Sequence, residues 1–148
     1  MRKRKVNIIL KGDAKLPIYA TERSAGADLY SVDEDIVLQP MQRTLVHTGI
    51  YIELPIDAEA QVRSRSGLSL KKGIVTILGT IDADYQGEVG AIIINLSNEP
   101  FVIKKGERIS QMVMNGDGGL FQAEWNQVQN FERQSERGEG GFGHTGNK

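Results

Sequence analysis

Thr44-Leu45-Val46-His47-Thr48-Gly49-Ile50-Tyr51-Ile52-Glu53-Leu54 alternates in character with a period of two, until Pro55-Ile56-Asp57 breaks the run. In an extended chain successive side chains point to opposite faces, so Val46, Ile50, Ile52 and Leu54 line one side. The same burst-and-break rhythm recurs on both sides of it. Period-two or β-branched runs at Val6–Leu10, Asp28–Val32, Ile36–Leu38, Gln61–Ser64, Ile74–Leu78, Val89–Leu96, Phe101–Ile103, Ile109–Met114 and Phe121–Val128 read as further strands. Turn chemistry separates them at Gln39-Pro40, Asn98-Glu99-Pro100 and Asn115-Gly116-Asp117-Gly118-Gly119. Gly67–Lys72 is the one short helix expected. Many short strands at this spacing indicate an all-β jelly roll or barrel rather than a parallel α/β sheet.

The length of 148 residues suits one domain with a real core. Hydrophobic and charged fractions of 39% and 25% are ordinary for a globular chain, and the net charge of −1 argues against a general nucleic-acid coat. With no cysteine there is no disulfide, thiolate nucleophile or zinc–thiolate site. The basic start Met1-Arg2-Lys3-Arg4-Lys5 is followed by an apolar stretch too short for a signal-peptide core or a membrane span. It reads as a solvated end leading into an edge strand. A cytoplasmic location with no membrane partner is the corresponding expectation.

The end of the chain differs in kind. Residues 1–132 read as the β domain. Residues 133–148 are polar and glycine-rich and read as an arm, in which Phe142 stands among glycines five residues after Arg137. Composition alone suits a frayed tail. An arginine for phosphate, a ring for stacking and glycines for close approach suit a flap that orders over a ligand.

Three interior stretches are unusually polar. Val62-Arg63-Ser64-Arg65-Ser66-Gly67-Leu68 is either a plain turn or an anion site. Gly79-Thr80-Ile81-Asp82-Ala83-Asp84-Tyr85-Gln86-Gly87-Glu88-Val89 is either a capped hairpin turn or the seat of a carboxylate for general-base or hard-cation work. If it is extended, Asp82 and Asp84 share a face opposite Tyr85. Ser24–Leu29 and Gly106–Gln111 add further polar groups. The two histidines, His47 and His144, lack metal-ligand spacing.

Together these segments resemble the five motifs of the trimeric dUTPase family, in the family's order: Ala25–Leu29, Arg65–Leu68, Gly79–Val89, Gly106–Met112 and Arg137–Gly146. The resemblance implies a jelly-roll-like β-barrel protomer in a homotrimer. Active sites would be shared between subunits, with the arm reaching from one protomer to another. It implies hydrolysis of dUTP to dUMP and pyrophosphate by water attack on the α-phosphorus, which limits uracil incorporation into DNA and supplies dUMP for thymidylate synthesis. By the same resemblance Asp82 is the base, and Asp28 holds Mg²⁺ through a water. Arg65, Ser66, Gly67, Gln111, Arg137 and Thr145 contact the phosphates. Leu78, Gly79, Thr80, Ile81 and Gly90 frame the uracil, Tyr85 packs on the deoxyribose, and Phe142 and Gly143 close over the base. Ser64 stands where the family commonly has proline and is expected to loosen the turn; Ile77-Leu78 is bulkier than in some members. A dCTP deaminase, which shares the jelly roll, and a dUTP-responsive binding module are the competing readings.

Overall fold

A computed structural model describes residues 1–143, 145 and 146; His144, one of the two histidines weighed above, lies outside them with Asn147 and Lys148. Twelve strands and one helix follow the sequence pattern closely. They are β1 (Lys3–Leu10), β2 (Ile18–Tyr19), β3 (Gly26–Tyr30), β4 (Ile36–Leu38), β5 (Arg43–Glu53), β6 (Glu59–Arg63), α1 (Ser66–Lys72), β7 (Ile74–Ile77), β8 (Gly79–Ile81), β9 (Glu88–Asn95), β10 (Phe101–Ile103), β11 (Arg108–Gly116) and β12 (Gly119–Gln127).

The strands pair in the order β2-β3-β11-β12-β1-β5-β9-β7, with β6 on the other side of β11 and β8 beyond it. β4 and β10 form a separate pair. The ladder does not close on itself, so the fold is jelly-roll-like rather than a sealed barrel. One half (β12, β1, β5, β9) contributes Val6, Ile8, Val46, Ile50, Ile52, Val89 and Ile93 to a single core. The other half (β3, β11, β6) contributes Leu29, Ala60, Val62, Met112 and Met114. The long alternating stretch behaves as its pattern requires: Val46, Ile50 and Ile52 are each no more than 1% exposed. A register shift between His47 and Tyr51 lets β5 bend as it crosses β9.

The basic start is not a solvated lead into an edge. Lys3 to Ile8 run parallel to Gln122–Gln127 while Asn7 to Leu10 pair with β5, so β1 is internal. Arg4 makes two hydrogen bonds to the Asp57 carboxylate at 2.7 and 2.8 Å, and its guanidinium lies 5.0 Å from the Phe121 ring centroid. The guanidinium and the Asp117 amide hold the Asp57 carboxyl well below the usual carboxylate range. Arg4 thus ties β1, through Asp57, to the turn between β11 and β12.

Candidate active site

β8, the turn that follows it and the start of β9 wall a cavity of about 200 Å³ lined by Val62, Gly79, Thr80, Ile81, Tyr85, Gly90, Arg137 and Phe142, among others. Ile81, Tyr85 and Val89 are buried, which gives the cavity an apolar floor. The Tyr85 hydroxyl donates to the Glu88 carbonyl at 2.7 Å, and burial pushes that phenol up from its usual range. The ring is therefore fixed as a wall. Gly90 keeps the opposite side open: a Cβ there would come 2.7 Å from Leu45 Cδ1 and 3.5 Å from Phe142 Cζ. Gly141 lets the arm lie flat, since a Cβ would sit 2.7 Å from Tyr85 Cε1. Phe142 itself takes a φ of 49°, a left-handed conformation rare for an aromatic residue, which a surrounding structure must hold in place.

Asp82 sits at the mouth. It does not lie in an extended strand: its carbonyl accepts from Tyr85 N at 3.1 Å, which makes a turn. The turn still gathers the two acids, because Arg137 Nη1 donates to Asp82 Oδ2 at 2.5 Å and to Asp84 Oδ1 at 3.1 Å. The paired carboxylates push the guanidinium's affinity for its proton up further, the Asp82 hydrogen bond first. Asp82 remains 58% exposed, so water reaches it.

A second pocket, lined by Ser24, Ala25, Gly26, Asp28, Arg65, Ser66, Gly67, Arg108 and Gln111, shares no lining residue with the first. Asp28 lies 3.4 Å from Arg65 Nε and 3.4 Å from Arg108 Nη1. Gln111 is aimed by its amide, which donates to the Ser64 carbonyl at 2.9 Å. Ser64 does not loosen this turn. Its hydroxyl accepts from Thr76 N at 2.8 Å and donates to Thr76 O at 3.2 Å, tying the turn to β7 in place of a proline's rigidity. Helix α1 follows with Arg65 as N-cap and no side-chain cap bond; at seven residues it adds little field. The anion-binding capacity here lies in guanidinium, hydroxyl and amide groups.

Of the sequence-derived residues, Gly79, Thr80, Ile81, Tyr85, Gly90, Arg137 and Phe142 meet in the first cavity, and Asp28, Arg65, Ser66, Gly67 and Gln111 meet in the second. Leu78 is 61% exposed and lies outside the lining, as do Gly143 and Thr145. Arg108 was not singled out from the sequence, yet it stands in the anion pocket. A register shift between Arg108 and Ser110 brings it onto the same side as Gln111, three residues on. A regular strand would have opposed them.

No group of three or more His, Cys, Asp or Glu side chains is placed to hold a metal ion among the described residues. Asp28 alone offers a carboxylate to the second pocket. One carboxylate suits an ion such as Mg²⁺, which keeps several waters and binds largely through a polyphosphate. The donor set therefore fits a metal that arrives with its ligand, and does not fit a cage that holds one permanently.

Gly26 supports the Gln111 amide by having no side chain: a Cβ would collide with Gln111 Oε1. Gly26→Ala is therefore expected to drive that amide from the Ser64 carbonyl. KM for a triphosphate substrate should rise about tenfold, the size of one lost hydrogen bond to a charged group, with kcat changed less. Steady-state kinetics checks this.

Fold and pockets together define an all-β, jelly-roll-like protein with one cavity lined in part by its C-terminal arm and a separate arginine-lined anion pocket. The dUTPase family model matches residues 12–146. The deoxyuridine 5'-triphosphate nucleotidohydrolase of Hydrogenobaculum sp. (strain Y04AAS1) is 51% identical over 142 residues, covering 94% of this chain and 95% of its own. The protein of that name from Finegoldia magna is 47% identical, covering 96% and 99%. Among solved structures, a variant dUTPase of Staphylococcus bacteriophage 80alpha with dUpNHpp superposes with a TM-score of 0.69 at 30% identity, covering 96% of this chain and 98% of that one. The dUTPase of phage phi11 of S. aureus, described with a structural Mg(II) ion, shares the fold with a TM-score of 0.71 at 24% identity, covering 88% of this chain and 100% of that one. This chain belongs to the dUTPase family.

Proposed function

We propose that dUTP hydrolysis to dUMP and pyrophosphate, the activity of this enzyme family, runs here in sites shared between the subunits of a homotrimer. The supporting observation is that one protomer holds both halves of a site, but apart. Met112, Val62 and Gly79 stand in register on the buried face of β11, β6 and β8, where the first cavity opens. Asp28, Gln111 and Arg63 stand in register on the other face. Three strand spacings and about four residues of rise separate Asp28 from Asp82, roughly 20 Å along the sheet. A metal-binding carboxylate and a base cannot serve one α-phosphorus across that distance. A neighbouring copy in a closed ring supplies the missing half.

In that site Asp82 accepts the proton of a water as the water oxygen bonds to the α-phosphorus and the bond to the pyrophosphate oxygen breaks. Arg137 leaves the two carboxylates for the phosphate chain, which frees Asp82 for the water. Arg65, Ser66, Gly67, Gln111 and Thr145 hold the phosphates, joined by Arg108. Asp28 would be the residue that holds Mg²⁺, and the ion would supply neutralisation of the phosphate charge. Backbone groups of Leu78, Gly79, Thr80, Ile81 and Gly90 read the uracil edge. Cytosine reverses that edge and leaves buried polar groups unpaired, which can be worth about 10⁴-fold in discrimination. Close approach of the backbone leaves no room for thymine's methyl, Tyr85 packs where a 2′-hydroxyl would sit, and Phe142 with Gly143 closes the top. Residues 1–132 act as the catalytic body and 133–148 as its closing arm.

The test compares pyrophosphate release from dUTP, dCTP, dTTP and UTP, with and without Mg²⁺. The expected result is turnover of dUTP alone, dependent on the metal. Ammonia release from dCTP would replace this reading with a deaminase, and inertness toward every deoxyuridine polyphosphate would leave a binding module. No helix among the described residues is long and apolar enough to cross a membrane.

A further inference from the structure

Two hydroxyls face each other in the core behind the anion pocket. Thr76 on β7 is 6% exposed, Ser110 on β11 is fully buried, and their oxygens lie 2.6 Å apart, each the other's hydrogen-bond partner. Neither residue lines the apolar cavity or the anion pocket. Thr76 is also held by its backbone: its N–H donates to Ser64 Oγ at 2.8 Å, and its carbonyl accepts from that hydroxyl at 3.2 Å. The Ser64 carbonyl in turn accepts from Gln111 Nε2 at 2.9 Å, and Gln111 follows Ser110 in the chain. Thr76, Ser64, Gln111 and Ser110 thus close a ring of contacts. It joins β7 to the two segments that feed the anion pocket, the Ser64–Gly67 turn and β11.

Ser110 sits where β11 departs from a regular strand. The pairing shift leaves Ile109 and Ser110 buried in succession, at 5% and 0% exposure, while Arg108 and Gln111 on either side of them both line the pocket. Arg65 Nη1 reaches the Arg108 carbonyl at 3.5 Å, which ties a second guanidinium to the same irregularity. A buried hydroxyl left without a partner is more costly than a paired one is stabilising. Without the Thr76 oxygen, the simplest relief for Ser110 is to turn outward. Side chains alternate along a strand, so that rotation would carry Gln111 to the inner face and off the pocket.

We infer, on the reading above in which this pocket takes the phosphates of dUTP, that Thr76 is a positioning residue for phosphate binding. Its hydroxyl holds the β11 irregularity that sets Arg108 and Gln111 on one side, and its peptide groups hold the turn that leads into Arg65. Thr76 acts through these side chains, so its effect falls on affinity for the phosphate chain rather than on proton transfer at Asp82.

Two substitutions at this position separate a hydroxyl role from a packing role. Thr76→Val keeps the shape of the side chain and removes the hydroxyl; Thr76→Ser keeps the hydroxyl and removes a methyl. Thr76→Val is expected to raise KM for dUTP about tenfold with kcat changed less, the size of effect that follows when a buried polar group loses its partner. Thr76→Ser is expected to stay near the parent value. The reverse order is what packing alone predicts, and it overturns the inference. Adding Ser110→Ala to Thr76→Val removes the stranded hydroxyl and is expected to bring KM part of the way back; a double variant at least as impaired as Thr76→Val overturns the inference as well. Inhibition by deoxyuridine, which carries no phosphate, is expected to be alike in all these variants, and a parallel loss there overturns a role specific to phosphate. Arg65→Ala separates this inference from the reading beneath it. A raised KM for Arg65→Ala beside an unchanged one for Thr76→Val overturns the positioning role alone. An unchanged KM for Arg65→Ala overturns the phosphate reading and the positioning role with it. Thermal melting shows which variants keep the fold. If Thr76→Val does not, Ser64→Ala, which releases both Thr76 peptide groups from the turn, takes its place: a raised KM is expected, and an unchanged one overturns the inference.

Discussion

Asp82→Asn is expected to lower dUTP turnover by about 10²- to 10⁴-fold, the usual contribution of a positioned general base, while the non-hydrolysable analogue dUpNHpp still binds. The substitution keeps the shape of the turn and removes proton acceptance. The Asp82 side chain is well exposed and is not part of the core, so the fold has little reason to respond. The arm also keeps its seat: Arg137 retains Asp84 at 3.1 Å, and the hydrogen bonds of Ser135 to the Asp84 carbonyl and of Gln86 to the Arg133 carbonyl do not involve Asp82. Pyrophosphate-release kinetics set beside calorimetric titration with dUpNHpp separates the two effects. If turnover survives within a few-fold, the proton acceptor is another carboxylate at this mouth, and Asp84 is the nearest alternative.

What could be read from the sequence follows physical locality. Strands such as β5 and β9 were visible because one face is core and the other is not, so burial writes its period directly into Val46, Ile50, Ile52 and into Val89, Ala91, Ile93. The two-residue β2 is too short to carry a period, and β8 (Gly79–Ile81) opens on a glycine inside a stretch that reads as a turn, whereas the equally short β4 and β10 were marked by their apolar β-formers. The internal place of β1 was hidden for a different reason: its basic residues pair with Asp57 and overlie Phe121, partners far away in the chain.

The site divides the same way. Gly79–Val89 and Arg65–Leu68 are compact turns whose chemistry is contained within them, so their composition pointed to them. Arg108 escaped because its placement depends on an irregularity in β11 that no local pattern announces. Nor does the order of residues reveal that Asp82 is met by Arg137 from the arm, or that Glu53 needs the arm's backbone to satisfy its charge. Those are contacts between distant segments, and each residue alone looks like an ordinary surface charge.

Ending the chain at Glu136 is expected to cost about 10²- to 10⁴-fold in kcat/KM for dUTP with only a few degrees' change in melting temperature. Two interactions are lost from the closed site. Stacking of Phe142 on a base is worth about 1–3 kcal/mol, and a charge-assisted contact from Arg137 to phosphate about 1.5–3 kcal/mol. Together, about 2.5–6 kcal/mol corresponds to roughly two to four decades. The fold keeps its core because the truncation leaves Glu53 its two arm amides and Asp84 its Ser135 bond. Tyr85 loses the cover of Gly141 but keeps its hydroxyl on Glu88, so the cavity wall stays upright. Kinetics and thermal melting of the truncated chain check both halves of the expectation. Retained activity would make the segment after Glu136 a tail with no part in turnover. A collapse in melting temperature would instead make the arm part of the folded body. Arg137→Ala and Phe142→Ala, compared singly, then assign the loss: removing the guanidinium should lower kcat more, since the phosphates carry the developing charge, and removing the ring should raise KM more, since the base is bound alike before and during the reaction.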